Sequence, residues 1–237
     1  MIQNGAIPKI DSFSNPLFKK IGDLPIDQDI QIKKVGDVNN QALNIRGWEQ
    51  TYDQLSMGVF EGEINELWLG ETQLIWEKNN QSVHQKGNSW KNSRCFFFSI
   101  KQNEEAFFCN QLTSIETPMS FNWSEGLDFR TCKNQETIGV TIHEDILETY
   151  SEIFGIKSIN QYLFDFKKFK SDINRLNQLK TFLFQVFYSS QTNKKFLKSH
   201  LSAQFQNAIH ISILESLIPD PTISSKLRYH KIIVDKV

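Results

Sequence analysis

The first 142 residues alternate between apolar and polar positions in short runs that are rich in β-branched and aromatic side chains. Turn signals such as Leu69-Gly70-Glu71 and Lys86-Gly87-Asn88 separate the runs, which is the pattern of strands joined by tight connections. Many short strands at regular spacing predict an antiparallel sandwich or barrel. The predicted strands are 31–35, 51–56, 59–69, 73–77, 81–86, 95–100, 106–111, 126–131 and 137–142.

Two of these runs have a further feature. In 59–69, Ile64 shares its parity with Phe60 and Gly62, whereas Leu67 and Leu69 have the opposite parity. A regular pleat cannot place all of them on one face, so the sequence predicts a β-bulge near Asn65-Glu66. In 95–100 both parities are largely apolar, which predicts a strand that is covered on both faces.

After residue 142 the apolar period changes from two to about 3.6 residues. A capping-box spacing at Thr141–Glu144 predicts a helix over 143–154 that Gly155 ends. Ser171-Asp172 predicts the start of a second helix, and a third follows over 194–217. Helical spacing returns at 226–237 without a stop signal. The fold class is therefore α+β, with antiparallel strands followed by helices.

Composition and cysteine content indicate a soluble globular protein. The chain has 237 residues, 26 Lys and Arg against 27 Asp and Glu, and 39% hydrophobic residues. Cys95, Cys109 and Cys132 cannot all pair within one chain and have no CxxC spacing, which indicates reduced thiols. The sequence has neither a secretory leader pattern nor an apolar run of about 20 residues. We therefore expect a cytoplasmic protein without a membrane span.

Charge is distributed unevenly along the chain. Residues 157–237 contain 13 basic and 5 acidic side chains, and residues 1–156 contain 13 basic and 22 acidic ones. A basic second half fits a position near nucleic acid, but lysines on solvated helix faces give the same count.

Residue patterns for catalysis and metal binding are missing from the sequence. A metal-dependent cupin needs HxH and further ligands on following strands, and His84 stands alone among the predicted strands. There is no GxSxG and no phosphate-binding glycine loop. We expect no metal, no cofactor and no enzyme activity, and we keep a cupin-type small-metabolite enzyme as the alternative.

Aromatic residues on or beside the predicted strands suggest a small-molecule pocket, because rings with a few polar partners exclude water and orient a ligand. Rings that simply fill the interior would give the same pattern. Gln54 and Glu77 are the candidate polar contacts. The candidate ligand-binding residues are Trp48, Tyr52, Gln54, Phe60, Trp76, Glu77, Phe96, Phe98 and Trp123.

Trp48, Tyr52 and the stretch 53–62 form the pattern W...Y.QLS.G.F.G. This pattern resembles the N-terminal effector-sensing domain of AraC/XylS-type bacterial transcription regulators, in the subgroup of the ethanolamine-operon regulator. The likeness extends over about residues 25 to 220. Further matching segments are Glu66–Leu69, Trp76-Glu77, Asn80-Gln81, Phe96–Phe98 and Leu127–Thr131.

The resemblance implies a cupin-like effector-binding barrel, dimerising helices and a C-terminal domain with two helix-turn-helix units that bind promoter DNA. Leu227–Val234 is similar to the start of that reader domain, of which most is absent from the sequence. The implied organisation is an arm at 1–25, the barrel at 26–142, the helical region at 143–218, and a linker with the truncated reader domain at 219–237.

The resemblance and the residues together predict an effector-binding and dimerisation module that controls transcription in response to a small molecule. A stand-alone module that sequesters full-length regulators as mixed dimers is a further alternative. The expected partners are a small-molecule effector, a second copy of the chain and, through the missing domain, promoter DNA. The predicted dimer interface consists of apolar helix residues, namely Leu176, Leu179, Leu183, Phe187, Leu201, Phe205 and Ile209.

Overall fold

The computed structural model of the chain describes residues 29–154, 171–192 and 200–217. The predicted arm at 1–25, the linker at 219–237 and the helix at 226–237 lie outside these residues. The helices are α1 Val38–Leu43, α2 Glu144–Phe154, α3 Ile173–Thr192 and α4 His200–Leu217. The strands are β1 Ile30–Val35, β2 Glu49–Gln54, β3 Gly62–Leu69, β4 Thr72–Asn79, β5 Val83–Asn88, β6 Ser93–Lys101, β7 Ala106–Phe108, β8 Gln111–Thr113, β9 Met119–Asn122, β10 Leu127–Arg130 and β11 Gln135–His143.

The strands form two antiparallel sheets. The order is β1-β3-β4-β11-β6-β9 in the six-stranded sheet and β2-β5-β10-β7-β8 in the five-stranded sheet. Side chains from both sheets pack between them, including Phe97 and Phe121 from the first and Phe108 and Phe129 from the second. This arrangement confirms the predicted α+β class and the antiparallel sandwich.

The central strands of the six-stranded sheet are buried on both faces. Phe96 and Phe98 of β6 pack with the helices, whereas Cys95 and Phe97 pack between the sheets, which confirms the prediction for this strand. The bulge predicted in 59–69 is wrong, because β3 pairs with β4 in one uninterrupted register over its whole length. Both parities of β3 find apolar partners, so the strand stays regular.

Two predicted features at the ends of elements need correction. Thr141 lies inside β11, so it does not cap α2; instead the amide of Asp145 donates to Nδ1 of His143 over 3.2 Å. The run 106–111 is interrupted by Cys109 and Asn110, whose φ angles of 48° and 59° produce a tight turn between β7 and β8. The start of α3 agrees with the prediction, since the amide of Asn174 donates to Oδ1 of Asp172 over 2.8 Å.

The apolar stripes of α3 and α4 pack against the outer face of the six-stranded sheet. A side chain that is buried within one chain has little surface left for a second copy, and the role of these residues in a dimer interface stays a prediction. Phe205 is half-buried and stacks on Phe182 with ring centroids 6.1 Å apart. Leu201 lies among the residues whose side chains the structure does not describe. The residues with 0–2% exposure are Leu176, Leu179, Leu183, Phe187 and Ile209.

A buried polar contact fixes α4 on the sheet. Thr72, at the start of β4, shares a hydrogen bond of 2.7 Å with Nε2 of His210. Nδ1 of the same ring lies 3.4 Å from the hydroxyl of Tyr150 on α2. Burial lowers the pKa of His210 from 6.5 to about 3, so the imidazole is neutral at physiological pH and joins two helices to the sheet.

We predict that acid destabilises this contact. The unfolded chain binds a proton on His210 near pH 6.5 and the folded chain binds it only near pH 3. The free energy of unfolding therefore falls as the pH drops through this window. His210→Gln keeps a donor and an acceptor but cannot titrate. Between about pH 7.5 and about pH 5 it should lose about 2 kcal/mol less stability than the unmodified chain.

Urea unfolding at the two pH values measures this difference. His84→Gln is the matched control, because His84 pairs with Asp128 at a partly exposed site on β5, away from the helices. Equal pH slopes for His210→Gln and the unmodified chain would contradict the assignment of His210 as a buried neutral contact.

Candidate functional site

The space between the two sheets contains a small cavity with a mixed lining. Its volume is about 10 Å³, which is room for roughly one water molecule. Trp48, Tyr52 and Phe97 contribute ring surface, and Glu77 and Thr137 contribute polar atoms. An aromatic wall with a few convergent polar groups is the composition of a ligand site, although the space in this conformation is too small for a metabolite.

Glu77 is the ionisable group at the centre of this site. It lies on β4 with 7% exposure. Its Oε1 accepts from Nε2 of Gln41 over 3.1 Å and its Oε2 accepts from Nε2 of Gln85 over 2.9 Å. Burial raises the pKa of Glu77, and the hydrogen bonds from Gln41, Gln85 and Tyr52 oppose that shift. The donors are arranged for a carboxylate, which is an acceptor only.

Several polar atoms around Glu77 are buried without a hydrogen-bond partner among the described residues. They are Oε1 of Gln41, Oε1 of Gln50 and Oγ1 of Thr137. Gln50 and Thr137 line the cavity, and Gln41 contacts Glu77 directly. An unpaired buried polar group lowers the stability of the folded state by about 1–3 kcal/mol. A ligand that formed hydrogen bonds with these atoms would remove that cost.

Gln73 closes one end of the interior with a fully paired amide. Its Oε1 accepts from the indole nitrogens of Trp48 over 2.9 Å and Trp90 over 3.0 Å. Its Nε2 donates to Oε1 of Glu66 over 2.7 Å and to the carbonyl oxygen of Arg46 over 2.9 Å. All four hydrogen-bonding positions of the amide are used, which fixes the ring of Trp48 as a wall of the cavity.

Ion pairs extend this closed end toward the surface. Glu66 is fully buried, and Nε of Arg46 lies 2.8 Å from its Oε2. Nη2 of the same guanidinium lies 2.7 Å from Oδ1 of Asp29, and the indole nitrogen of Trp68 donates to Oε1 of Glu66 over 2.9 Å. The charge of Glu66 is thus neutralised and hydrogen-bonded, as a buried carboxylate requires.

A separate groove of about 540 Å³ lies where strands β1, β3, β4, β6 and β11 of the six-stranded sheet begin or end. Asn79 and Gln135 belong to its floor and pair across β4 and β11. Glu77 and Thr137 form the next inward-facing pair along the same two strands. Lys78 has the parity of Trp76 and its Nζ lies 4.1 Å from the centroid of that ring, so the charged lining of the groove is on the face of the sheet opposite to Glu77. The charged residues around the groove are Lys34, Lys78, Lys101, Glu61, Glu63 and Glu136.

The structure brings part of the sequence-predicted site together. Trp48, Tyr52 and Glu77 line the cavity. Phe60 is buried beside Tyr52 and Val83. These residues form one continuous interior cluster, as the pocket hypothesis requires, and their role in ligand binding stays a prediction.

Trp76, Phe96 and Phe98 lie elsewhere, on the helix-covered face of the sheet. The ring of Trp76 packs edge-on against Phe184 with centroids 4.9 Å apart. Trp76 and Glu77 are neighbours in one strand, so their side chains point to opposite faces. The pleat therefore keeps these three side chains away from the cavity around Glu77, and their role in ligand binding stays a prediction.

Two further predicted residues are Gln54, the last residue of β2, and Trp123, in a turn. Nε2 of Gln54 donates to the carbonyl oxygens of Ser56 and Gly58 over 2.6 and 2.8 Å, which fixes the connection that leads toward β3. Trp123 is half-buried in the turn between β9 and β10. Neither residue lines the cavity as the structure has it.

The residues that sequence reasoning missed are mostly amides. Gln41 lies on α1, a helix of six residues that is too short to leave a periodic pattern. Its one local signal is Asp37, whose Oδ1 accepts from the amides of Asn39 and Asn40 over 3.0 and 2.9 Å. Phe97 carries the same aromatic signal as Phe96 and Phe98, but the sequence does not tell which of the two parities faces the cavity. Gln50, Gln85 and Thr137 gave no distinctive signal.

No family model matches this sequence. Among solved structures, the fold is similar to the crystal structure of the AraC-like transcriptional activator CuxR, with a TM-score of 0.51 and 9% sequence identity. The match covers 78% of this chain and 69% of that chain. At this identity the likeness concerns the fold alone, which is an antiparallel sandwich with a layer of helices.

Two observations concern metals and membranes. Within 29–154, 171–192 and 200–217, no group of three or more His, Cys, Asp and Glu side chains is placed so that it could hold a metal ion. None of the helices in these ranges is both long and apolar enough to cross a membrane.

We predict that Gln73→Met destabilises the fold. Methionine fills a similar volume but leaves the indole nitrogens of Trp48 and Trp90 without an acceptor and Glu66 with one donor fewer. The free energy of unfolding should fall by about 3 kcal/mol or more, because each buried polar group left unpaired costs about 1–3 kcal/mol. Urea unfolding followed by tryptophan fluorescence measures the change.

The matched control is Gln111→Met on the exposed edge of β8, where the same substitution should change stability by less than about 0.5 kcal/mol. Equal effects at the two positions would show that the amide of Gln73 does not organise the closed end.

Proposed function

We propose that this chain is the effector-binding and dimerisation part of an AraC-type transcription regulator. The interior around Glu77 is the effector site in this proposal, and the helical layer transmits binding. Support comes from the fold likeness to an AraC-like activator and from the aromatic and polar lining of the interior. The proposal assigns promoter DNA to a helix-turn-helix domain C-terminal to residue 217.

The observation that carries the proposal is the position of β4 between the site and the helices. Glu77 points into the interior and accepts hydrogen bonds there, whereas Trp76 points outward. The Trp76 ring lies 4.9 Å from that of Phe184 and 6.1 Å from that of Phe187, both on α3. A displacement of β4 by a ligand would reach α3 through adjacent residues of one strand.

A ligand changes the placement of the helices only if it binds one arrangement better than another. Because the cavity holds about one water molecule, an effector of metabolite size must displace part of the lining. In our proposal that requirement couples binding to movement, since the ligand binds tightly only to an expanded interior. Expansion shifts strands that carry helix-facing rings on their other side.

The outward face of α3 supports self-association. Its exposed positions after Ile173 carry uncharged side chains, although a solvated helix face normally carries charges. A shallow groove of about 480 Å³ follows this face. We propose that α3 meets a second copy of the chain here, in place of the buried residues predicted from the sequence. The exposed residues are Asn174, Asn177, Gln178, Thr181, Gln185, Tyr188, Gln191 and Thr192.

We expect a thermal-shift screen against small metabolites to identify an effector by the rise in melting temperature that it causes. A compound that raises the melting temperature should bind Thr137→Val about tenfold more weakly, because the variant lacks the buried hydroxyl that has no partner. The variant itself should be at least as stable as the unmodified chain, since valine removes an unpaired polar atom without changing the volume.

Thr51→Val, at an exposed position of β2, is the control that should leave binding unchanged. Calorimetry with the purified variants measures the affinities. A hit whose affinity is the same in all three proteins would place the effector outside the interior, and a screen in which no small molecule stabilises the chain would count against the sensing role.

Self-association should be lost in Thr181→Lys, at the centre of the uncharged face of α3. In a dimer, this lysine would lie opposite the same lysine of the second copy or against another surface that has lost its water. Its charge would then be desolvated without an opposite charge beside it. Light scattering at tens of micromolar should show a dimer for the unmodified chain and a monomer for the variant. Gln111→Lys on the exposed edge of β8 should remain dimeric. A monomeric unmodified chain would overturn the dimer proposal.

A further inference from the structure

The connection between β2 and β3 exposes three large apolar side chains to solvent. Leu55, Met57 and Val59 are 54%, 96% and 77% exposed, and they lie within five consecutive residues. Surface connections are normally built from small and polar residues. Apolar side chains that are exposed as a group, and not singly, mark a contact with another surface. We call residues 55–59 the apolar loop.

Hydrogen bonds hold the backbone of the apolar loop in one conformation. Nε2 of Gln54 donates to the carbonyl oxygens of Ser56 and Gly58. The hydroxyl of Ser56 donates to Oε1 of Gln81 over 2.7 Å, and Nε2 of Gln81 donates to the carbonyl oxygen of Val59 over 3.2 Å. A loop that is already fixed loses little conformational entropy when a partner binds, so its apolar side chains are preorganised for a contact.

Acidic side chains flank the apolar loop on both sides. Asp53 precedes the loop by two residues, Glu61 follows it by two, and both are exposed. Glu49 is a further exposed carboxylate on β2 and has the parity of Asp53. Both ends of the apolar loop therefore carry negative charge. A complementary partner has apolar side chains interspersed with basic ones.

The chain contains a segment of that composition after α4, outside the described residues. Residues 226–237 include Lys226, Arg228, Lys231 and Lys236 against a single carboxylate, that of Asp235. This segment therefore complements the apolar loop both in charge and in hydrophobicity. Its apolar residues are Leu227, Tyr229, Ile232, Ile233, Val234 and Val237.

The other segments outside the described residues fit the apolar loop less well. Residues 1–28 contain three basic and three acidic side chains, so they have no excess of positive charge. Residues 193–199 contain three lysines, but they lead into α4 at the opposite end of β3, where Gln206 donates to Thr72. Residues 155–170 are basic, but both of their ends are held in the helical layer, by α2 and by the bond from Ser171 to Ser216.

The connection from α4 is long enough to reach the apolar loop. Leu217, the last residue of α4, belongs to the same apolar core as Leu67 of β3, and the apolar loop leads into β3 at Gly62. The path along the strand from Leu67 to Gly62 measures about 17 Å. Residues 218–225 span up to about 26 Å when they are extended, so residues 226–237 can lie beside the loop.

We propose that residues 226–237 dock on the apolar loop of the same chain. Their apolar side chains would cover Leu55, Met57 and Val59, and their basic side chains would lie beside Asp53 and Glu61. This contact would fix the position of the segment after α4 relative to the sandwich. It requires no ligand between the sheets, so it does not depend on the effector site proposed above.

The first test uses the whole chain with the substitution Met57→p-benzoylphenylalanine, whose side chain forms a crosslink to nearby C–H bonds on irradiation. Isotope-labelled and unlabelled copies are mixed before irradiation, and mass spectrometry of the peptides identifies the partner. We expect the crosslink to join position 57 to residues 226–237 of the same molecule. A crosslink to residues 155–170, a crosslink between differently labelled copies, or no crosslink would overturn the inference.

The second test measures amide hydrogen exchange in residues 226–237. Met57→Ser should speed this exchange by about tenfold, because the segment loses the most exposed apolar side chain of its docking surface. Ile153→Ser is the matched control, since Ile153 is a 53% exposed apolar residue on α2, and it should leave the exchange unchanged. Surface substitutions of this kind leave the fold intact. Equal exchange rates in the two variants would contradict docking on the apolar loop.

The charged part of the contact is tested by the same measurement. Glu61→Lys should speed the exchange of residues 226–237 by about threefold, because it places a positive charge beside a basic segment. Glu152→Lys makes the same change at an exposed position of α2 and should have no effect. Equal effects of the two substitutions would show that the carboxylate at the apolar loop does not hold the segment, and would overturn the inference.

Discussion

The structure depends on the two-sided burial of the six-stranded sheet, and β4 shows the constraint most directly. Its outward residues, Leu74 and Trp76, pack under the helices. Its inward residues include Gln73, Glu77 and Asn79, all of which are 7% exposed or less. Because successive side chains of a strand point to opposite faces, this one strand supplies the closed end and the central carboxylate of the site while it anchors the helical layer.

The inward polar row is satisfied unevenly, and the difference divides the interior into a rigid part and an adaptable part. Gln73 uses every hydrogen-bonding position of its amide, and buried networks that are complete specify one arrangement. Close to it, Gln41, Gln50 and Thr137 each have one buried polar atom without a hydrogen-bond partner in the part of the chain that the structure describes. A ligand-binding site needs both properties. Rigid residues orient the ligand, and unpaired polar groups gain hydrogen bonds when the ligand binds.

Much of the fold follows from the sequence because the local signals agree with the final structure. Nine predicted strand segments and three predicted helices each correspond to observed elements, with ends that differ by a few residues and one strand segment that divides into β7 and β8. Asp172 caps its helix as its residue type suggests. Helix α1 and strand β9 were missed, since six and four residues are too few for a period to become visible.

The candidate site was less predictable because both faces of the strands are apolar. In Phe96-Phe97-Phe98 the composition does not tell which parity faces the second sheet, and the pocket prediction chose the parity that faces the helices. The apolar stripe of α3 was assigned to a partner for the same reason. A hydrophobic pattern predicts that one face of a strand or helix is buried, but it does not predict which other surface covers that face.

In our proposal the helical layer is part of the sensor, because polar contacts join its helices to the sandwich. His210 of α4 bonds to the first residue of β4, and Nζ of Lys180 on α3 donates to the carbonyl oxygen of Ile115 over 2.6 Å. Burial lowers the pKa of Lys180 to about 8, which reflects how far this cation has left water. Directional polar contacts of this kind fix each helix to a particular segment of the sandwich, whereas apolar packing alone tolerates sliding. In our proposal a movement of β4 or of the connection at Ile115 would therefore change the position of α3 and α4, and a second copy of the chain would detect that change at the uncharged outer face of α3.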